Sequence, residues 1–192
     1  PYGELVGYKY MRHEGQIVYK DGIAQREDEV SSLGNGVYKW TGGWNNQFKY
    51  KNITLAFLVD FKFGAKLFSG TNLSLMSNGQ HKKTLEGREN DPVGEIIGKG
   101  VMLDKEGNYV ANNVKLSAQE YWRGIVSNSI AEEFVYDASF VKLRELSLGY
   151  NFPQSILGNQ NVVKGLNISF VARNLWTIVK HTDNIDPESA YN

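Results

Sequence analysis

The chain has 192 residues, with 21 Lys+Arg against 21 Asp+Glu, 12% aromatic residues and no Cys. The charge balance supplies no field for a nucleic-acid partner, and the lack of Cys excludes a disulfide framework and thiolate metal sites. No apolar run reaches the roughly 18 residues of a membrane helix, but that test is blind to barrel strands, in which polar and apolar residues alternate.

A chain that opens on Pro1 reads as a processed or truncated product. Residues 1–12 (PYGELVGYKYMR) read as a long strand with Val6, Tyr8 and Tyr10 on one face. Asp21-Gly22, between IVYK and IAQ, is the strongest short hairpin signal in the chain. Residues 26–36 are polar, end in Gly34-Asn35-Gly36 and read as a loop.

Residues 37–51 and 53–64 form a long hairpin. In the second arm Ile53, Leu55, Phe57, Val59, Phe61 and Phe63 alternate with Thr54, Ala56, Leu58, Asp60, Lys62 and Gly64, the period of a strand with one apolar face. In the first arm Trp44, Phe48 and Tyr50 share a face with Asn46, and Asn45, Gln47, Lys49 and Lys51 share the other. A two-residue turn at Lys51-Asn52 pairs Tyr50 with Ile53, Phe48 with Leu55 and Asn46 with Phe57. The apolar faces then coincide, whereas a slip of one residue sets every apolar side chain opposite a polar face. Gly42 and Gly43 imply a bulge or close packing. The second arm exceeds the roughly five or six residues of a soluble strand and suits the roughly nine to eleven of a tilted membrane strand.

Residues 65–136 read as largely irregular, and a connection of that length is functional or disordered. Within it, residues 101–113 predict a small hairpin around Lys105-Glu106-Gly107-Asn108. Ser117-Ala-Gln-Glu120 is a capping-box pattern ahead of Tyr121 and Trp122, which predicts a short helix. From Phe140 the strands return. Leu146, Leu148, Tyr150 and Phe152 alternate with Glu145, Ser147, Gly149 and Asn151. Val141 and Leu143 are in the opposite phase, with Lys142 and Arg144 between, and a bulge near Arg144 reconciles the two. Pro153 ends this strand, and residues 154–164 are a short connection with room for one helical turn. In 165–176, Leu166, Ile168, Phe170, Ala172 and Trp176 alternate with Asn167, Ser169, Val171 and Arg173. Residues 180–192 read as polar loop, without a closing strand.

The expected architecture is all-β: an antiparallel segment of about five long strands (1–12, 37–51, 53–64, 140–152 and 165–176) from a large transmembrane β-barrel with long extracellular loops. Its connections alternate between long and short, as barrels sort long outer loops from short periplasmic turns. The alternative is a soluble β-sandwich that binds glycans, packed on one face and wet on the other. A sandwich has no reason to sort its loops by length.

Chemistry-bearing motifs are sparse. His13, His81 and His181 lie far apart in loops without ligand spacing. Asp28-Glu29 and Glu132-Glu133 are sequence neighbours, a poor arrangement for an acid–base pair. Gly34-Asn35-Gly36 and Gly98-Lys99-Gly100 lack the strand-to-helix context of a phosphate loop and read as turns. Asn52, Asn72 and Asn167 head glycosylation-type triplets of a kind frequent by chance. No catalytic residue, metal ligand or cofactor site is assigned, and the chain is not read as an enzyme.

Three stretches carry a family resemblance. GGWNNQFKYKNITLAFLVDFKFGAKLFSGT (42–71), YDASFVKLRELSLGYNFP (136–153), and ARNLWT with NIDPES (172–177 and 184–189) are similar to the C-terminal barrel of the SusC/RagA family of TonB-linked outer membrane proteins. TLEGRE (84–89) and residues 119–122 resemble it too, and the order is collinear over nearly the whole chain. The resemblance implies a TonB-dependent importer of glycans or peptides in the outer membrane of Bacteroidota, built as a barrel of roughly 22 strands around an N-terminal plug. It implies as partners a SusD-like surface lipoprotein that lids the extracellular mouth, TonB acting through the N-terminal part, outer-membrane lipid, and an oligosaccharide or peptide substrate. The plug, TonB box, carboxypeptidase-like leader domain and final aromatic-ended strand have no counterpart in these residues, so 1–192 is expected to be a C-terminal part of the barrel. Many relatives carry an acidic D-x-N-x-D-G stretch where this chain reads EDEVSSLGNG (27–36), so no metal is carried over.

In this setting Lys49, Asp60, Lys62, Glu145 and Arg173 fall on the polar strand faces and are expected to project into the lumen. There they either pair across strands to hold the wall or plug, or touch substrate and gate the plug. Tyr109, Tyr121 and Trp122, in the long loop, either pack that loop or stack on sugar rings or the lipoprotein lid.

Overall fold

The structure, a computed structural model, describes residues 2–88, 94–158, 163 and 165–189. The parts of the expectations that touch Pro1, Glu89, residues 159–162, Lys164 and residues 190–192 lie outside them. The strands are β1 (Glu4–Gly7), β2 (Arg12–His13), β3 (Gln16–Lys20), β4 (Ile23–Ala24), β5 (Ser31–Asn35), β6 (Trp40–Tyr50), β7 (Ile53–Phe63), β8 (Lys66–Phe68), β9 (Glu95–Ile97), β10 (Val101–Leu103), β11 (Tyr109–Ala111), β12 (Lys115–Ser117), β13 (Val135–Asp137), β14 (Phe140–Phe152) and β15 (Leu166–Lys180). The α-helices are α1 (Gly70–Ser77), α2 (Ala118–Ser127) and α3 (Gln154–Leu157). The chain divides into two compact units, a sheet unit (37–65 and 137–187) and a loop unit (1–36, 66–136 and 188–192).

The sheet unit is one antiparallel sheet in the order β15-β14-β7-β6. Its hairpin has the register that the sequence predicts, with Tyr50 opposite Ile53, Phe48 opposite Leu55 and Asn46 opposite Phe57. Lys51 takes the left-handed conformation the tight turn requires, at φ 50°. Pairing of β6 with β7 runs unbroken through Gly42 and Gly43, so there is no bulge here, and the close packing lies at Gly42. A Cβ at Gly42 would lie 2.5 Å from the Phe61 ring. The bulge expected near Arg144 is present: Leu143 opposes Val59 and Glu145 opposes Leu58, leaving Arg144 as the extra residue. It brings the two phases of β14 into agreement, so that Leu143, Leu146, Leu148 and Tyr150 all lie with the odd-numbered apolar residues of β7. Leu148 in turn opposes Phe170, and Tyr150 opposes Ile168.

That apolar face is open to solvent: Phe48 is 55% exposed, Ile168 59% and Phe170 72%. The strand ends sort by connection length. β6 begins, β7 ends, β14 begins and β15 ends at one edge, where Trp40 opposes Phe63 and Phe140 opposes both Lys62 and Lys180. At the other edge lie the Lys51-Asn52 turn, the end of β14, which the single helical turn α3 follows, and the start of β15.

The loop unit corrects three expectations. Residues 1–12 are not one strand: β1 spans only Glu4–Gly7 and pairs β5, while Tyr8 and Tyr10 make isolated bridges to Ile130 and Arg26. Burial explains the break, since Val6 is 65% exposed while Tyr10, on the same face in the expected strand, is 6% exposed in the core. The long strands among the described residues are therefore β6, β7, β14 and β15 rather than five. Residues 26–36 are not all loop, because Ser31–Asn35 forms β5. The described residues of 65–136 are not largely irregular but contribute most of a hydrophobic core of Tyr10, Tyr19, Ala24, Met76, Ile96, Ala118, Trp122, Ile125, Ile130 and Phe134.

The Asp21-Gly22 hairpin (β3–β4), the small hairpin β10–β11 and the capped helix α2 stand as predicted. In α2 the Ser117 hydroxyl accepts from the Glu120 N–H, and the Glu120 carboxylate accepts from the Ser117 N–H. Ala118, Trp122 and Ile125 then recur on the buried helix face. The parallel pairing of β10 with β3, Val101 to Val18, was not expected.

Candidate functional site

Two surfaces carry the candidate residues: the polar face of the sheet, and the loop unit. On the polar face the bulge decides the geometry. It sets Lys142 opposite Asp60 and leaves Arg144 and Glu145 adjacent on the strand. Arg144 donates through Nη2 (2.7 Å) and Nε (3.0 Å) to Asp60 Oδ2, and through Nη1 to Asn174 Oδ1 at 3.4 Å. Asn174 sits on β15 in the left-handed conformation, φ 50°.

Lys142, almost wholly buried, donates to both oxygens of Asp186 at 2.8 and 3.1 Å. Lys62 lies 5.5 Å from the ring centre of Tyr38 and 5.8 Å from that of Phe140, within reach of cation–π attraction. The Tyr38 hydroxyl donates to the Pro187 carbonyl. The 184–187 segment is thus tied to the sheet by its acid and by a backbone carbonyl. Arg173 donates to Glu145 at 3.1 Å across the β14–β15 pair, but Arg173 is 75% exposed, and so open a pair contributes at most about 1 kcal/mol.

Of the five polar-face candidates, Asp60, Lys62, Glu145 and Arg173 therefore stand among cross-strand partners near the long-connection edge. Lys49 pairs with Thr54 beside the Lys51-Asn52 turn. Gly43 is the strand partner of Asp60, so Lys49 lies six residues along the strand, roughly 20 Å away. Sequence reasoning missed Lys142, Arg144, Tyr38 and Asp186. The phase reversal in FVKLREL did signal a bulge. Nothing in the sequence signalled that Asp186 and Tyr38 would join.

The loop aromatics separate. Trp122 is 7% exposed and packs in the core, its Nε1 donating to the Glu86 carbonyl at 3.5 Å. Tyr121 is half-buried, sharing a hydrogen bond of 3.3 Å with the Tyr19 hydroxyl. Burial first, and then that bond, pushes its phenol well above the ordinary range. Tyr109 is the exposed one of the three, at 41%, and stacks on the His13 ring with centroids 3.7 Å apart.

The Glu132-Glu133 neighbours are two anchors. Glu132 Oε2 and Oε1 accept from Arg12 Nη1 and Nη2 at 2.9 and 3.0 Å, and Oε2 also accepts from the Tyr10 N–H. Partial burial pushes the Glu132 carboxyl up, but the Arg12 guanidinium and that N–H outweigh it and hold the group below the usual range. Glu133 accepts from the Tyr10 hydroxyl at 2.8 Å and from Lys83. Asn72 is buried in α1. Among the described residues no group of three or more His, Asp or Glu could hold a metal ion, and no helix is long and apolar enough to cross a membrane.

One cleft stands out in the loop unit. It encloses about 440 Å³ between the C-terminal end of α1 and the first turns of α2, and its lining includes Arg88, Arg123, Asn78, Gln119, Trp122 and Met76.

No family model matches the chain. It is 24% identical over 159 residues to TonB-dependent receptor P3 of Formosa agariphila, covering 83% of this chain and 14% of that protein. It is 20% identical over 184 residues to TonB-dependent receptor P39 of the same organism, covering 91% of this chain and 16% of that protein. The chain thus spans about a sixth of the length of these curated relatives. Its fold matches the RagAB peptide importer in the closed-closed state, with a TM-score of 0.62 and 18% identity over 97% of this chain and 21% of that one. It also matches the open-open state, with a TM-score of 0.59 and 16% identity over all of this chain and 21% of that one. Sequence and fold agree with the resemblance carried by residues 42–71 and 136–153: the chain is similar in sequence to TonB-dependent receptors and in fold to part of the RagAB importer.

Proposed function

We propose that residues 1–192 form part of the C-terminal barrel of an outer-membrane, TonB-dependent importer of peptides or oligosaccharides. The plug and TonB box belong to other parts of the protein. The observation that carries this is the two-sided sheet: strands of 11 to 15 residues with an exposed aromatic-aliphatic face and a charged opposite face. Lipid on the first face and a wet lumen behind the second account for both. The sorting of long and short connections to opposite strand edges supports a reading in which the long ones face outward. In this reading the polar-face ion pairs brace the wall, and Lys49, Lys62 and Arg173 offer cationic contacts to a passing substrate. A SusD-like lipoprotein closes the outer mouth, and TonB supplies the energy.

The test is an assembly assay on the full-length protein. Phe57→Arg places a guanidinium on the lipid face, at a cost of about 2–4 kcal/mol near mid-membrane, and should abolish insertion into the outer membrane. Ala56→Arg, one residue earlier and facing the lumen, should insert. Equal insertion of the two variants would overturn the reading and favour a soluble sandwich.

A further inference from the structure

The cleft of the loop unit is not used by the sheet, and its lining has a definite chemistry. Gln119, Trp122 and Arg123 lie three and four residues apart on α2 and so share a helix face. Across from them Met76 lies in the last turn of α1, and Asn78 caps it. Arg88 closes the cleft, anchored by a 2.8 Å hydrogen bond from Nη1 to the Gly79 carbonyl. That bond uses one of the five N–H donors of the guanidinium. The described lining residues include two arginines and no acid. The nearest acid in sequence on α2, Glu120, is committed to Ser117 at the cap. Met76 and Trp122 give the cleft an apolar floor, and the Asn78 and Gln119 amides add donors and acceptors. A volume of about 440 Å³ falls within the range of small-ligand pockets.

We propose that this cleft is a binding subsite for a carboxylate carried on an apolar or planar body, with Arg88 and Arg123 holding the anion and Met76 and Trp122 the body. Guanidinium–carboxylate pairs are charge-assisted and geometrically selective, and no acid stands among the described lining residues to compete for the two arginines. The source of the carboxylate, a peptide C-terminus or a uronic acid, follows from the importer reading, on which that part of the proposal rests. The site itself does not depend on transport.

The test is calorimetric titration of the full-length receptor in detergent with matched probes. These are an N-acetylated hydrophobic dipeptide and its C-terminal amide, and methyl glucuronide and its methyl ester. The proposal expects at least one acid to bind more than about tenfold tighter than its neutral partner, with affinity falling as salt rises. Arg88→Gln and Arg123→Gln should each cost about tenfold, and Arg123→Lys less. Whichever acid binds identifies the source. Equal binding of acid and neutral forms, no binding of any probe, or undiminished binding by the double Gln variant would overturn the proposal. Both arginines are exposed, so the variants are expected to fold, and unchanged circular dichroism and melting would confirm it. Binding with these properties in a protein that fails to insert into membranes would sink the importer reading while keeping the subsite.

Discussion

At Gly100 a Cβ would lie 2.1 Å from the Ile17 carbonyl oxygen and 2.9 Å from the Tyr19 ring. The carbonyl belongs to the backbone of β3, against which β10 pairs in parallel from Val101 onward, so it cannot swing aside as a side chain could. Gly100→Ala should therefore destabilise the loop unit by about 1–3 kcal/mol, the range for overpacking. Lys99→Ala, a neighbouring change outside the close contact, should stay within about 0.5 kcal/mol. Limited proteolysis of the full-length protein reads this out as faster cleavage within 66–136 for the glycine variant alone, and equal cleavage of both would refute the packing argument. Gly98-Lys99-Gly100 was legible as a turn. That these glycines admit Tyr19 and the β3 backbone was not, because the partner lies some eighty residues away in sequence. The same holds on the polar face: Asp60, Glu145 and Arg173 were legible from alternation, but Lys142 reaches Asp186 and Tyr38 reaches Pro187 through a turn that no periodicity encodes.

The elements divide by length. β6, β7, β14 and β15 are long enough for a period of two to declare itself, and their register followed from the requirement that apolar faces coincide. The strands of the loop unit span two to five residues, too few for a pattern, and pair with distant partners such as β1 with β5. Helix α2 was legible because its start has a local chemical signature, whereas α1, capped by the Ser69 hydroxyl accepting from the Asn72 N–H, lacks the acidic third residue that completes a capping box. Ser117→Ala removes the acceptor for the Glu120 N–H and the donor to its carboxylate. Loss of an N-cap costs about 0.5–2 kcal/mol. Since α2 carries Trp122 and Ile125 into the core, the loss should appear as faster amide exchange across 118–125 in the full-length protein. Ser117→Asp, which restores an acceptor, should exchange like the native chain. If Ala and Asp behave alike, the cap is not what holds the helix end.

The sheet unit is two-sided in a way that bears on whether the chain can stand alone. Among the described residues the sheet ends at β6 and β15, and such edge strands present backbone donors and acceptors that template association. Its apolar face exposes Trp44, Phe48, Tyr50, Leu148, Ile168, Phe170 and Trp176 together, the kind of contiguous apolar patch that soluble monomers rarely leave uncovered. The loop unit differs, because it buries a core of its own around Ile130 and Phe134, both at or below 1% exposure. In the proposed receptor, neighbouring strands satisfy the edges and lipid covers the face. Residues 1–192 expressed alone in detergent-free buffer should therefore aggregate through the sheet, while protease protection persists in the loop unit. Detergent above its micellar concentration should reduce the aggregation by covering the apolar face without supplying partners for the edges, so oligomers should remain. Light scattering with and without detergent separates the two effects. A monodisperse monomer with a single cooperative melt in plain buffer would mean that the apolar face finds cover within the chain, and with it the barrel-wall assignment of β6, β7, β14 and β15 would fall.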